Sequence, residues 1–169
     1  GADDLIDTDG DGLSDGAETT LFATDPTDAD SDDDGALDGA EVLSALTDPN
    51  DPDSDNDGLT DGLELGVAVV HPDSGAFAPD TDPATTTDPN DDDSDDDDLL
   101  DGDEDADLDG LVDVSETDPN NADTDGGSIP DGVEVDRGSD PLDPADDVPG
   151  LDTDGDGLDD DDETSIYGT

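Results

Sequence analysis

Seven glutamates carry most of the information in this chain: Glu18, Glu41, Glu64, Glu104, Glu116, Glu134 and Glu163. Eleven residues before each stands an aspartate, and others stand nine and three residues before it. Aspartate fills 52 of the 169 positions, so twenty-one matches in twenty-one trials do not follow from composition. Carboxylates at such spacing can converge on a hard cation. A tight loop turns the side chains at its first, third and fifth positions toward one centre, and the seventh adds a backbone carbonyl. The ninth acts directly or through water, and the twelfth needs the longer Glu arm to reach back with both oxygens. Glycine at the sixth position permits the bend. An oxygen shell of this kind suits calcium.

The pattern, D-x-D-x-D-G-x5-E, is that of an EF-hand calcium loop. Loop 1 offers Asp7, Asp9, Asp11, Leu13 (by its carbonyl), Asp15 and Glu18. Loop 2 offers Asp30, Asp32, Asp34, Ala36, Asp38 and Glu41, and loop 3 offers Asp53, Asp55, Asp57, Leu59, Asp61 and Glu64. Loop 4 has Asp93, Asp95, Asp97, Leu99, Asp101 and Glu104, but Asp98 stands where glycine is wanted, which should strain the turn. Loop 5 offers Asp105, Asp107, Asp109, Leu111, Asp113 and Glu116. Loop 6 has Asp123, Asp125, Ile129, Asp131 and Glu134, with Gly127 and Ser128 at its fifth and sixth positions. It keeps four carboxylates and is expected to be the weakest site, or to borrow a ligand from a neighbour. Loop 7 offers Asp152, Asp154, Asp156, Leu158, Asp160 and Glu163.

Composition leaves two readings, a disordered polyanion or a chain that something cationic holds together. Acidic residues number 59, against Arg137 alone and no lysine, and the formal charge is −58. Only 27% of residues are hydrophobic, too few to offset a backbone ordering entropy of roughly 1–2 kcal/mol per residue. Cysteine is absent, so disulfides cannot supply the difference. Nucleic acid is repelled, and no apolar run is long enough to insert in a membrane. No signal peptide is visible, so a secretion signal is expected outside these residues. The expected fold is irregular, with little regular secondary structure: an extended, calcium-stabilised repeat array with short helical turns.

Loops 1 to 3 start 23 residues apart, and later starts are separated by 40, 12, 18 and 29 residues. Residues 1–64 therefore read as three regular repeats and 93–169 as four less regular ones. Thr-Asp-Pro at 24–26, 47–49, 87–89 and 117–119 punctuates them, since Asp-Pro stops a helix and starts a turn. Between each Glu and its Asp-Pro there is room for one or two helical turns, so the long flanking helices of a true EF-hand are missing. Residues 65–92 break the pattern with an apolar run at 65–70, and read as a small hairpin or a loop insertion. His71 is expected to be an exposed loop residue.

The runs DTDGDGLSDGAE at 7–18, DSDNDGLTDGLE at 53–64 and DTDGDGL at 152–158, with Thr-Asp-Pro between units, resemble thrombospondin type 3 repeats. The likeness is to the cysteine-free form common in large bacterial surface proteins. It implies an extended chain wrapped around a row of calcium ions, and an extracellular or cell-surface, secreted location. Animal members use disulfides, so calcium must carry more of the load here. Dockerins share the loop but need a defined helical binding face, which is not seen.

The seven loops use 34 of the 59 carboxylates, and seven calcium ions would move the charge only from −58 to −44. More than seven ions are therefore expected, with Asp25, Asp28, Asp48, Asp51, Asp118 and Asp143 placed to form further sites. The leading functional expectation is a calcium-stiffened rod, stalk or fibre segment. An acidic adhesive or mineral-binding module is the alternative. An enzyme is not expected, because no apolar pocket exists to tune a catalytic carboxylate. Residues 163–169 match 18–24 and stop where the next Asp-Pro should come. That suggests continuation into further repeats or head-to-tail self-assembly into a filament.

Overall fold

The computed structural model describes residues 5–147, so loop 7 lies outside the described residues. Loops 1, 2, 3, 4 and 6 close in the same way. The amide of the ninth residue donates to the carbonyl of the residue preceding the first: Asp15 to Ile6 (2.8 Å), Asp38 to Ala29 (3.1 Å), Asp61 to Pro52 (3.2 Å), Asp101 to Asp92 (3.3 Å) and Asp131 to Ala122 (3.2 Å). A short helix starts at that ninth residue. These are α1 (Asp15–Ala17), α2 (Asp38–Ala40), α3 (Asp61–Glu64), α4 (Asp101–Glu104) and α5 (Asp131–Arg137). Wider π turns, Glu18–Phe22 and Glu41–Ala45, continue α1 and α2. Ala23 and Leu46, both left-handed, end those turns ahead of Thr-Asp-Pro. No strand forms among the described residues, and the fold is an irregular repeat array.

Successive loops stack through a glycine at the tenth position. The Oδ2 atoms of Asp34, Asp57 and Asp97, each a fifth-position residue, accept from the amides of Gly62 (3.0 Å), Gly102 (2.8 Å) and Gly132 (2.8 Å) in the loop that follows. The carbonyl oxygens of Asp11, Asp34, Asp57 and Asp97 approach Gly39, Gly62, Gly102 and Gly132 so closely that a Cβ on any of these glycines would collide. The stack therefore runs loop 1, 2, 3, 4, 6.

Loop 5 is not in that series. It lies between Glu104 and Thr117 as a looped-out segment, just as 65–86 lies between Glu64 and Thr87. In each case the chain returns to its point of departure. Thr87 Oγ1 donates to Glu64 Oε1 (3.0 Å), as Thr47 does to Glu41 without any insertion (3.3 Å), and Thr117 stands beside Glu104. The two excursions meet. Thr81 donates its amide to the Asp109 carbonyl at 3.0 Å, and the Asp80 carboxylate lies against Gly110. The turn at 71–77 folds onto loop 2, with the Phe77 ring over Gly35 and Asp33 against Gly75. Residues 65–92 form turns rather than a hairpin; prolines at 72, 79, 83 and 89 remove amide donors that a ladder would need.

The interior is carboxylate. Among the described residues the buried apolar side chains are few: Leu13, Ala29, Ala36, Leu59 and Leu63. The largest fully buried side chains are instead Glu18, Glu41, Glu64, Glu104 and Glu134, followed by aspartates. Ordinary folding energetics forbids that arrangement unless the charges are neutralised.

Candidate metal centres

Each loop is shaped by its own aspartates. The first-position carboxylate receives amides from the bend: Asp30 takes Asp34 N (3.2 Å) and Gly35 N (3.0 Å), and Asp93 takes Asp97 N (3.0 Å) and Asp98 N (2.9 Å). The fifth-position carboxylate receives the seventh amide, as in Asp11 to Leu13, Asp34 to Ala36 and Asp57 to Leu59, each 2.7 Å. The sixth residue is left-handed in every described loop, at φ +106° for Gly12, +100° for Gly35 and +114° for Gly58. Asp98 (+76°) and Ser128 (+92°) take the same turn without glycine.

These turns bring oxygens together. Ligand-capable atoms lie within 4.8 Å of one another in Asp7, Asp9 and Asp11, in Asp30, Asp32 and Asp34, in Asp53, Asp55 and Asp57, and in Asp93, Asp95 and Asp97. A further set spans two loops: Asp57 and Glu64 of loop 3 with Asp101 of loop 4. The ninth-position aspartate thus faces the preceding loop as well as its own. Asp38 likewise faces Asp11 and Glu18, and Asp61 faces Asp34 and Glu41. Loops 1 to 4 are thus each met by the ninth-position aspartate of the next loop in the stack, Asp131 facing Asp97 in the last case, a relation that spacing alone does not reveal.

Glu18, Glu41, Glu64, Glu104 and Glu134 stand among these loop aspartates. Glu18, Glu41 and Glu134 are fully buried, and both oxygens of Glu18, Glu104 and Glu134 lack any hydrogen-bond partner. One oxygen each of Glu41 and Glu64 is also unpartnered. Burial, then the Asp32, Asp34 and Asp61 carboxylates, push Glu41 up to about 9. Burial pushes Glu64 to about 9 and Glu104 to about 8, and burial with the charge of Asp9 and Asp11 takes Glu18 to about 7. Such groups need a proton or a cation, and the all-oxygen donor set fits a hard divalent ion. The residues present therefore fit calcium.

Loop 5 is built differently. Asp105 still accepts from Asp109 N (3.2 Å) and Gly110 N (2.8 Å), and Asp109 from Leu111 N (3.0 Å). Beyond that point Glu116 Oε2 accepts from Asp113 N (3.1 Å), and Asp113 Oδ1 accepts from Ser115 N and Oγ. The buried Asp80, from the other excursion, stands beside Asp105 and Asp109, with its Oδ2 unpartnered. In loop 6, Asp123 accepts from Gly126 N and Ser128 N, and Asp125 from Gly127 N. His71 is half-buried, its Nδ1 accepting from Asp73 N at 3.4 Å.

The second position is the residue that sequence reasoning passed over. In the five stacked loops a Ser or Thr there gives its amide to the ninth-position carboxylate: Thr8 to Asp15, Ser31 to Asp38, Ser54 to Asp61, Ser94 to Asp101 and Thr124 to Asp131. In loops 2, 3, 4 and 6 its hydroxyl receives the Asp amide of the preceding Thr-Asp-Pro, as in Asp48 N to Ser54 Oγ (3.1 Å), and in loops 1 to 4 it donates to the ninth-position carboxylate, as in Ser54 Oγ to Asp61 Oδ2 (2.7 Å). Linker and loop are locked by one hydroxyl. Loop 5 has Ala106 at that place and Val114 where the stacking glycine should be. Both signals were present in the sequence.

The profile of the bacterial TSP3 repeat matches residues 7–29, 53–65 and 129–144. These three segments are similar to the bacterial TSP3 repeat. The matches include all of loops 1 and 3 and the outgoing half of loop 6, the last running through Ser139-Asp140-Pro141, a variant of the Thr-Asp-Pro linker. TSP3 repeats bind calcium, in keeping with the oxygen clusters. No curated protein matches the chain. Two solved structures share short stretches with it. One is a biofilm associated protein BSP domain, 44% identical over 25% of this chain and 7% of that chain, with a TM-score of 0.25. Another is a biofilm associated protein B domain, 42% identical over 27% of this chain and 11% of that chain, with a TM-score of 0.26. The chain thus spans about a tenth or less of either. No helix among the described residues is long and apolar enough to cross a membrane.

Proposed function

We propose that this TSP3 array is a calcium-stiffened structural segment, a rod or stalk, of an extracellular or cell-surface protein. One observation carries the reading. Glu18, Glu41, Glu64, Glu104 and Glu134, each at most 2% exposed, stand among aspartates, and the cluster of Asp57, Glu64 and Asp101 spans two successive loops. An ion held there neutralises one loop and ties it to the next. Binding free energy becomes folding free energy, and stiffness spreads from loop to loop. Extracellular calcium modules bind at roughly 10⁻⁴–10⁻³ M, which suits a surface location. The buried, unpartnered Oδ1 of Asp28 supports ions beyond the seven loop sites, and a calcium titration that saturates at seven or fewer overturns that count.

Small-angle X-ray scattering with a few millimolar calcium, magnesium or chelator tests the reading. Calcium alone should convert a swollen coil into a narrow rigid particle, and growth of its length with protein concentration would reveal self-assembly. A coil in all three conditions rejects the structural role.

A further inference from the structure

Loop 6 has Gly127 where loops 1 to 5 place Asp11, Asp34, Asp57, Asp97 and Asp109. The space is not left open. Asp147 Oδ2 lies where a Cβ on Gly127 would be, and Asp125 Oδ1 is 3.0 Å from the same point. Both Asp147 oxygens are shut off from solvent and have no hydrogen-bond partner, and neither has Asp125 Oδ2. Glu134 stands alongside, fully buried, with both of its oxygens unpartnered.

We propose that Asp147 is the missing fifth-position ligand of loop 6, so that Asp123, Asp125, Asp131, Glu134 and Asp147 together hold one calcium ion. This restores the five carboxylates of a complete loop, and it rests on the calcium-binding reading above. The linker fold sets where Asp147 falls. Ser139 stands beside Glu134 as the linker threonines stand beside theirs. Asp140 N donates to Asp146 Oδ2 at 3.2 Å, the same six-residue step as Asp25 N to Ser31 Oγ at 3.2 Å. The next residue is thereby delivered to Gly127. Alanine or aspartate at position 127 would occupy the space that Asp147 fills. The consequence is a ring: one ion closes the chain from Asp123 to Asp147 and fastens α5 and the 140–147 turn to the loop.

Arg137 is the sole Lys or Arg of the chain, so trypsin has one bond to cut, inside this ring. Tryptic cleavage of the whole chain is followed against calcium concentration for wild type, Asp147→Asn, and Asp147→Gly combined with Gly127→Asp, in which the emptied space admits the new side chain, with scattering measured in parallel. Calcium should protect the wild-type bond. Asp147→Asn should move the protection midpoint at least the roughly 10–100-fold seen when even an outer-shell partner of a metal is lost. The double variant should return it. An unmoved midpoint in Asp147→Asn overturns the assignment. A shift that Gly127→Asp fails to rescue also overturns it, because Asp147 then only supports the turn. If wild type compacts in calcium yet the bond stays unprotected, the loop 6 site fails while the calcium-stiffened array survives. If neither compaction nor protection occurs, both readings fall.

Discussion

Asp34 and Gly62 lock loop 2 to loop 3. The Asp34 carboxylate accepts the Gly62 amide at 3.0 Å, and its carbonyl oxygen fills the space beside Gly62 that any side chain would need. Because Asp34 also belongs to the oxygen cluster of its own loop, the contact joins the metal site to the stacking interface.

Gly62→Ala should therefore part the two loops. The collision is with backbone, which cannot swing aside, and overpacking of this kind typically destabilises by about 1–3 kcal/mol. Thermal melting in calcium should show a lower Tm, while calcium titration should still find ions in the loops remote from the change. An unchanged Tm would mean that the stacking contact is not needed.

Glu41→Gln and Glu116→Gln should differ, although both residues occupy the twelfth position of a loop. Glu41 is fully buried and facing Asp32, Asp34 and Asp61. Glu116 accepts a hydrogen bond from Asp113 N in a segment outside the stack. Calorimetric titration should show Glu41→Gln losing affinity and compaction, and Glu116→Gln leaving compaction near wild type. Equal losses would place loop 5 in the stack.

What the sequence makes legible is the identity of the ligands and the linker punctuation, because both are fixed by local spacing. The seven glutamates mark the loop ends, and Thr-Asp-Pro marks each return. The partnership between loops is not legible from ligand spacing. Asp101 meeting Asp57 and Glu64, and loop 6 following loop 4, depend on backbone contacts between segments dozens of residues apart. Loop 5 matches the ligand pattern as well as loop 1 does. What disqualifies it is two residues that bind nothing: Ala106 cannot pass a hydroxyl proton to Asp113, and Val114 cannot accept a carbonyl against its backbone. Asp147 was unreadable for a similar reason, since its role is set by the absence of a side chain twenty residues earlier.

The left-handed sixth position offers a test free of packing. Gly58, at φ +114°, has nothing within 4 Å of an added Cβ, so Gly58→Ala carries backbone strain alone. Asp98 and Ser128 bear that strain already. Gly58→Ala should destabilise, and Asp98→Gly and Ser128→Gly should stabilise, by about 1–2 kcal/mol each, the usual left-handed penalty. Melting curves in saturating calcium read the sign directly. Loss of stability in Asp98→Gly would mean that its carboxylate contributes more than its backbone conformation takes away.

Protons and calcium compete for the same buried carboxylates, and the sign follows from the raised values. Glu41 and Glu64 sit at about 9 and Glu18 at about 7 when folded without metal, against 4.5 ordinarily. The folded chain then binds more protons than the unfolded one. Without calcium, its stability is greatest below about 4.5 and is lost as pH rises through 7 to 9. In chelator, acidification toward pH 4 should therefore compact the chain, and raising the pH should expand it. In calcium the compact form should persist at neutral pH, with protons released as ions bind, seen as a binding enthalpy that changes with the buffer's ionisation heat. Scattering that stays that of a coil down to pH 4 in chelator would show that neutralising the carboxylates is not enough, and that the ion's geometry builds the stack.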